Sequence, residues 1–178
     1  PKIDATKSMR DQAVNHQSGD FNVGYDVNPK FSPDGKYIAW QSMKRNGYES
    51  DRNRLCVYEL ATGRKTYVTE SFDSNVDDYT WSADSKSLYF IGVWHATVNV
   101  YQTNLKGAVR QLTKGDHNYV SIALLGNKQL LGIRQSISQP NEIYAITPSK
   151  GNADSQQTQL TFENKHIFDQ LALGEVKD

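Results

Sequence analysis

Short stretches of alternating apolar and polar residues, each closed by a turn-forming cluster, recur along this chain. In Tyr37-Ile38-Ala39-Trp40-Gln41, Ile38 and Trp40 alternate with Tyr37, Ala39 and Gln41, the period of two that marks a half-buried strand. The turn before it is Ser32-Pro33-Asp34-Gly35. Pro33 fixes φ at the second turn position, Asp34 can bond its own backbone, and Gly35 closes the turn without steric cost. The unit Phe31-Ser32-Pro33-Asp34-Gly35-Lys36-Tyr37-Ile38-Ala39-Trp40 returns 50 residues later as Trp81-Ser82-Ala83-Asp84-Ser85-Lys86-Ser87-Leu88-Tyr89-Phe90. A third, degenerate copy runs from Ala123 to Leu131 through Gly126-Asn127, and there the Pro-Asp turn is lost.

Two further landmarks keep step. Tyr58, Tyr101 and Tyr144 are spaced by 43 residues, and Val68-Thr69, Leu112-Thr113 and Leu160-Thr161 recur at 44 and then 48. Four strands in a period of about 40–50 residues are the signature of a β-propeller blade. The predicted fold is all-β: a partial β-propeller of about three four-stranded antiparallel blades with fragments of flanking blades. The predicted strands are 28–32, 36–43, 55–60 and 65–69 in a first blade (28–69), then 77–82, 86–92, 97–105 and 109–113 in a second (77–113). A third blade (118–161) holds 118–124, 128–135, 141–147 and 156–161. Residues 1–27 read as a lead-in or the end of a preceding blade, with Asp11–His16 as its outermost strand. Residues 162–178 read as the first strand of a further blade, over Phe168–Leu173. No segment has a capped 3.6-residue apolar period, so almost no helix is expected. Ile38 and Trp40 align with Leu88 and Phe90, and Val57 with Val100 and Ile143; these are the positions where neighbouring blades are expected to meet. Three blades do not close a ring, which leaves open blade faces and edges through which isolated copies are expected to self-associate.

Composition narrows the class. A hydrophobic content of 37% and a mean hydropathy of −0.68 are low for buried parallel sheets and suit antiparallel sheets with alternating faces. Lys+Arg and Asp+Glu are both 20, so no net field favours nucleic acid or an anionic membrane. No apolar run is long enough to span a bilayer. The single Cys56 excludes an internal disulfide and reads as a small buried residue. No signal peptide is visible, but the chain opens at Pro1 and reads as a piece of something larger.

Catalytic and metal motifs are absent. No Gly-x-Ser-x-Gly elbow occurs among the 12 glycines, so the chain carries no nucleophile of that type. His16, His95, His117 and His166 form no paired ligand spacing, and no cofactor is expected. Asp73-Ser74-Asn75-Val76-Asp77, with Asp84 twelfth, imitates the start of a calcium loop. Such a loop needs Gly where Asp78 stands and a terminal Glu, and Asp77–Ser82 is needed as a strand; a polar connection is the better reading.

The blade unit 31–40, followed by Leu55-Cys56-Val57-Tyr58-Glu59-Leu60-Ala61-Thr62-Gly63-Arg64 and Val68-Thr69, resembles the blade repeat of TolB and of prolyl oligopeptidase family serine peptidases. Val100-Tyr101-Gln102-Thr103-Asn104-Leu105-Lys106-Gly107 with Gln111-Leu112-Thr113 matches the same pattern. The resemblance covers roughly residues 28–173. Longer blades, the degenerate unit after Asp116-His117-Asn118-Tyr119, and Ser136-Ile137-Ser138-Gln139-Pro140-Asn141-Glu142-Ile143-Tyr144 are similar to the dipeptidyl and acylaminoacyl peptidase members. The resemblance implies a non-catalytic propeller segment that gates and orients short peptides over an α/β-hydrolase domain outside this chain. That domain would carry a Ser-His-Asp triad. It also implies a periplasmic or secreted location. The alternative is a TolB-like protein-interaction propeller without enzymatic role; a ligand-binding sensor or lectin propeller has no specific support.

By that resemblance the loop Tyr48-Glu49-Ser50-Asp51-Arg52 is the candidate substrate-binding element, with Tyr48, Glu49, Asp51 and Arg52 as its functional residues. A carboxylate there would hold a peptide's free ammonium through a charge-assisted hydrogen bond. The same composition is that of an ordinary solvated turn, the commoner role for such loops. Trp94 and His95 occupy the corresponding turn of the next blade and read as a packing aromatic and a surface residue. Arg134 reads as a member of a structural ion pair.

Overall fold

The computed structural model of the chain describes residues 24–45, 50–151 and 153–174. Among these the chain forms twelve strands: β1 (Asp26–Phe31), β2 (Tyr37–Ser42), β3 (Arg54–Glu59), β4 (Lys65–Tyr67), β5 (Val76–Trp81), β6 (Ser87–Trp94), β7 (Thr97–Asn104), β8 (Val109–Gln111), β9 (Asn118–Leu125), β10 (Gln129–Ser136), β11 (Gln139–Thr147) and β12 (Gln156–Gln159). One helix, α1 (Lys165–Phe168), follows them. Each consecutive set of four strands pairs antiparallel in sequence order, and a single parallel bridge, Val98 to Asn118, touches β7 to β9. The architecture is all-β, a partial propeller of three blades.

The repeated turn is built from the repeated residues. Ser32 Oγ donates to Asp34 Oδ1 at 2.6 Å, Lys36 N–H donates to the same oxygen at 3.1 Å, and Tyr37 N–H donates to Ser32 Oγ at 3.0 Å. Ser82, Asp84, Lys86 and Ser87 reproduce these bonds at 2.7, 3.1 and 3.0 Å. Chiefly the serine hydroxyls, and then the lysine N–H groups, hold the Asp34 and Asp84 carboxyls below their ordinary range. Gly35 takes φ 68°, and Ser85 stands at φ 59° in the same place.

The recurring Val/Leu-Thr pair explains why the outer strands end early, β4 at Tyr67 and β8 at Gln111 instead of at the threonines. Leu55 N–H donates to Thr69 Oγ1 at 2.8 Å, Val100 N–H to Thr113 Oγ1 at 2.9 Å and Ile143 N–H to Thr161 Oγ1 at 2.8 Å. The threonine hydroxyl replaces a strand carbonyl at the point where the chain leaves the sheet. Each such bond contributes about 1 kcal/mol.

Two cores lie between blades. Between the first and second, Ala39, Leu55, Val57 and Val68 meet Tyr79, Trp81, Leu88, Phe90 and Tyr101. Between the second and third, Ile91, Val100 and Leu112 meet Tyr119, Ile122, Leu130 and Ile146. The repeat predicts these faces, with one correction at the ends. Leu88 and Phe90 are fully buried, whereas Ile38 and Trp40 are only half-buried, and Phe31 is 65% exposed where its counterpart Trp81 is 4%. In the same way Val57 and Val100 are buried but Ile143 is 39% exposed. No described blade packs against the leading face of the first sheet or the trailing face of the third.

Two boundaries differ from expectation. β1 begins at Asp26, because Asp26 and Val27 continue pairing with Ser42 and Gln41 beyond a bulge that takes up Asn28 (φ 53°) and Pro29. A bulge is where a proline, lacking the ladder donor, fits a strand. The strand expected over Phe168–Leu173 is not formed. No strand among the described residues pairs with it, and Lys165 Nζ donates to Asp169 Oδ1 at 2.7 Å one helical turn on. The stretch Asp11–His16 lies outside the described residues.

Candidate functional site

At one end of the sheets the second-to-third strand turns sit beside the connections that lead to the next blade. Val76 N–H donates to Asn53 O at 3.0 Å, and Val98 N–H lies 3.0 Å from Asn118 Oδ1. The candidate loop of the first blade belongs to this end. Tyr48 and Glu49 lie outside the described residues. Asp51 is described, and its carboxylate accepts from Arg45 Nε at 3.1 and 2.9 Å. That pairing with Arg45 holds its carboxyl below the ordinary range.

Arg52 reaches the next connection instead. Its guanidinium donates to Phe72 O at 2.6 Å and lies 3.7 Å from Glu70 and 3.6 Å from Asp73. Arg54, 8% exposed, pairs with Glu70 at 3.0 Å and stacks 4.1 Å over the Tyr67 ring. Asp51 and Arg52 are therefore each engaged by a different partner: Asp51 closes on Arg45 within the loop, and Arg52 fastens the loop to the strand-connecting segment. Their arrangement shapes the end of the blade; it leaves neither charge unopposed.

The corresponding end of the second blade is less neutralised. His95 and Ala96, at φ 49° and 59°, form a tight two-residue turn between β6 and β7. Trp94 is 47% exposed and edge-on to His95 at 4.8 Å, so the expected packing aromatic faces solvent. Beside it lies a cleft of about 630 Å³, which Trp94 shares with Asp116, His117 and Ile137. His117 is 9% exposed, edge-on to Tyr119, with Nε2 buried and unpartnered. Burial first, and then Arg134, push its pKa down to about 4 against the pull of Asp116, so the imidazole is neutral at pH 7. Arg134 makes no ion pair among the described residues. It donates to Gln157 at 3.1 Å and lies 3.6 Å over the Tyr144 ring, a neutral anchor in place of the expected charged one.

No described histidine hydrogen-bonds through its ring to a hydroxyl or thiol, and no group of three metal-ligating side chains occurs among the described residues. No described helix is long and apolar enough to cross a membrane. The chemistry this end offers is recognition by aromatic surface, hydrogen bonds and charge.

No protein-family model matches the sequence. Over 157 residues it is 45% identical to dipeptidyl-peptidase 5 of Porphyromonas gingivalis, across 88% of this chain and 22% of that protein. The chain is homologous to part of dipeptidyl-peptidase 5. A second relative of that name, from Porphyromonas endodontalis, is 45% identical over 150 residues, 84% of this chain and 21% of its own length. The chain thus spans about a fifth of these dipeptidyl-peptidase 5 relatives. Among solved structures it is similar to the acylaminoacyl peptidase of Pyrococcus horikoshii (TM-score 0.64, 22% identity, 85% of this chain and 22% of that one). It is also similar to the β-propeller domain of the Trilobed protease from Pyrococcus furiosus (TM-score 0.60, 20% identity, 83% and 40%). TolB from Acinetobacter baumannii gives a TM-score of 0.56 at 22% identity, over 79% of this chain and 33% of that one. At such identities the structural likeness is one of fold, and the fold is the propeller.

Proposed function

We propose that this chain is the non-catalytic propeller segment of a serine exopeptidase of the dipeptidyl-peptidase type, gating and orienting short peptides over an α/β-hydrolase domain encoded outside these residues. The observation that carries the reading is the 45% identity to dipeptidyl-peptidase 5, held across 88% of the chain. The absence of a Gly-x-Ser-x-Gly elbow from the 178 residues agrees with chemistry placed elsewhere. In this reading the blade ends narrow the approach to the reacting centre, admitting extended peptides and rejecting folded proteins. Asp51 and Arg52 act as positioning residues, since their partners within the fold already occupy them. The parent works outside the cytoplasm, and the two uncovered sheet faces are where its neighbouring blades pack. In the isolated segment those faces draw copies together.

Reading the gene on either side of this segment tests the proposal. A downstream Gly-x-Ser-x-Gly elbow followed by Asp and then His supports it. A stop codon after one or two further blades would remove the enzyme and leave an interaction propeller of the TolB kind.

A further inference from the structure

The opposite end of the interface between the second and third blades carries a second cleft, of about 850 Å³, large enough for a small-molecule ligand. Its walls come from β6–β8 and from the β9–β10 and β11–β12 connections. Three cations, Arg110, Lys128 and Lys150, line it, and no carboxylate does. In a chain of zero net charge that is a local concentration of one sign.

Arg110, like Arg134, is held by neutral partners. Arg45, Arg52, Arg54 and Arg64 each have a carboxylate within 4.0 Å. The Arg110 guanidinium is instead gripped by three neutral acceptors, Ser149 O at 2.9 Å, Gly151 O at 2.6 Å and Gln102 Oε1 at 2.7 Å. Gln102 is itself oriented by a bond from its Nε2 to Ser87 Oγ at 2.9 Å. Carbonyl partners fix the direction of the fork without cancelling its charge, which is the arrangement that suits a planar oxyanion. Tyr89 adds a phenol to the wall, kept protonated because burial, and then Asp84, raise its pKa. Lys128 and Lys150 have no ion pair among the described residues and are exposed.

From this we infer that the cleft is a binding site for a polyvalent oxyanion, a small polycarboxylate or a phosphate compound, bridging the second and third blades with Arg110 as its fixed point. The inference does not depend on the peptidase reading.

Calorimetric titration of the 178-residue chain with citrate, with inorganic pyrophosphate, and with sodium chloride at matched ionic strength tests it. Saturable binding of citrate or pyrophosphate, absent with chloride, is expected, and whichever of the two binds more tightly names the oxyanion class. Arg110→Gln should weaken that binding about tenfold or more, the loss of a charge-assisted hydrogen-bonded pair. Because Arg110 also secures the 148–151 connection, the exposed pair Lys128→Gln and Lys150→Gln is the companion variant. It should weaken binding several-fold and leave the melting temperature unchanged. No saturable heat with either polyanion, or wild-type affinity in the double lysine variant and in a folded Arg110→Gln, would overturn the inference.

Discussion

The two inter-blade contacts are built on the same repeat yet hold together differently. Between the first and second blades the core is aromatic. Phe90 stacks on Tyr101 at 5.4 Å and meets Phe72 edge-on at 5.2 Å. Polar bonds cross at several heights. The Tyr79 hydroxyl donates to Ala39 O at 2.8 Å, Trp81 Nε1 donates to Lys30 O at 3.1 Å, and Thr103 Oγ1 donates to Val68 O at 2.6 Å. Even the two Ser-x-Asp turns touch, Asp34 N–H donating to Ser85 Oγ at 3.1 Å. Between the second and third blades the core is mostly aliphatic. Its polar ties include Asp78, which accepts from Ser121 Oγ at 2.9 Å and Ile122 N–H at 3.1 Å, and Arg110, which donates to Ser149 O at 2.9 Å. They also include the Ser155 N–H bond to Leu112 O at 2.8 Å and the Lys114–Asp154 pair at 3.2 Å. Where the third blade loses its Ser-x-Asp turn, Asn127 and Lys128 line a basic cleft. Faithful copies of the repeat lock to each other; the degenerate copy leaves room for a ligand.

The comparison is sharpest at the aromatic contact. Phe90→Ala should cost about 3–5 kcal/mol through lost burial and a residual cavity. Leu130→Ala, across the other contact, should cost about 2–4 kcal/mol. Urea unfolding of the two variants ranks them, and a larger loss for Leu130→Ala would reverse the assignment of strength.

Asp78→Ala comes next. It strands the Ile122 N–H and removes a carboxylate 3.6 Å from Lys30, at about 1.5–3 kcal/mol by the worth of bonds to a charged group. An unchanged urea midpoint would show that the second and third blades do not depend on this tie.

His117 supplies a pH signature to the second contact alone. Its folded-state pKa of about 4 lies below the ordinary 6.5. The unfolded chain therefore takes up the proton first, and stability present above pH 6.5 is lost as pH falls toward 4. The loss is roughly 2 kcal/mol once solvent screening of part of the ring is allowed for. Replacing His117 with Phe should flatten the melting-temperature profile over that window. An equal slope in the variant would show that His117 does not carry the effect, since Asp34 and Asp84, held below their ordinary range, lose theirs only at more acid pH.

The smallest effect separates strain from bonding in the first contact. Ser85→Ala keeps the left-handed φ and loses the bond from Asp34, at about 1 kcal/mol. Ser85→Gly also loses the bond but relieves the backbone, and should recover most of that cost. If both variants match the wild type in thermal unfolding, the turn-to-turn bond contributes nothing.

How much of this was legible in the residues follows from how local each signal is. The turns at Ser32–Lys36 and Ser82–Lys86 close on their own side chains, so their spacing announces them, and the strand registers follow. The alternation that puts Leu88 and Phe90 inside is equally local. What the repeat could not tell was which copies have a neighbour, so Ile38 and Ile143 share an interior pattern but lie on uncovered faces. The role of the Val/Leu-Thr pair was visible as a recurrence without a reason; the reason is a hydrogen bond from the third strand of each blade to a threonine hydroxyl just beyond the end of the fourth. The site was the least legible. Asp51 and Arg52 look like free charges until Arg45 and the 70–73 connection are brought beside them. Arg110, Lys128 and Lys150 are scattered along the chain and converge only when two blades pack; the lost turn at 125–128 was their one trace.

The most direct test of the central claim uses the complete natural gene product that contains this segment. Its rate of release of a chromophore from dipeptidyl amides with a free amino terminus should be compared with that from N-blocked dipeptides and with cleavage of a folded protein. Turnover of the free dipeptidyl amides, abolished by a serine-directed inhibitor, is expected, with no cleavage of the folded protein. A purified, folded gene product that hydrolyses none of them would contradict that claim.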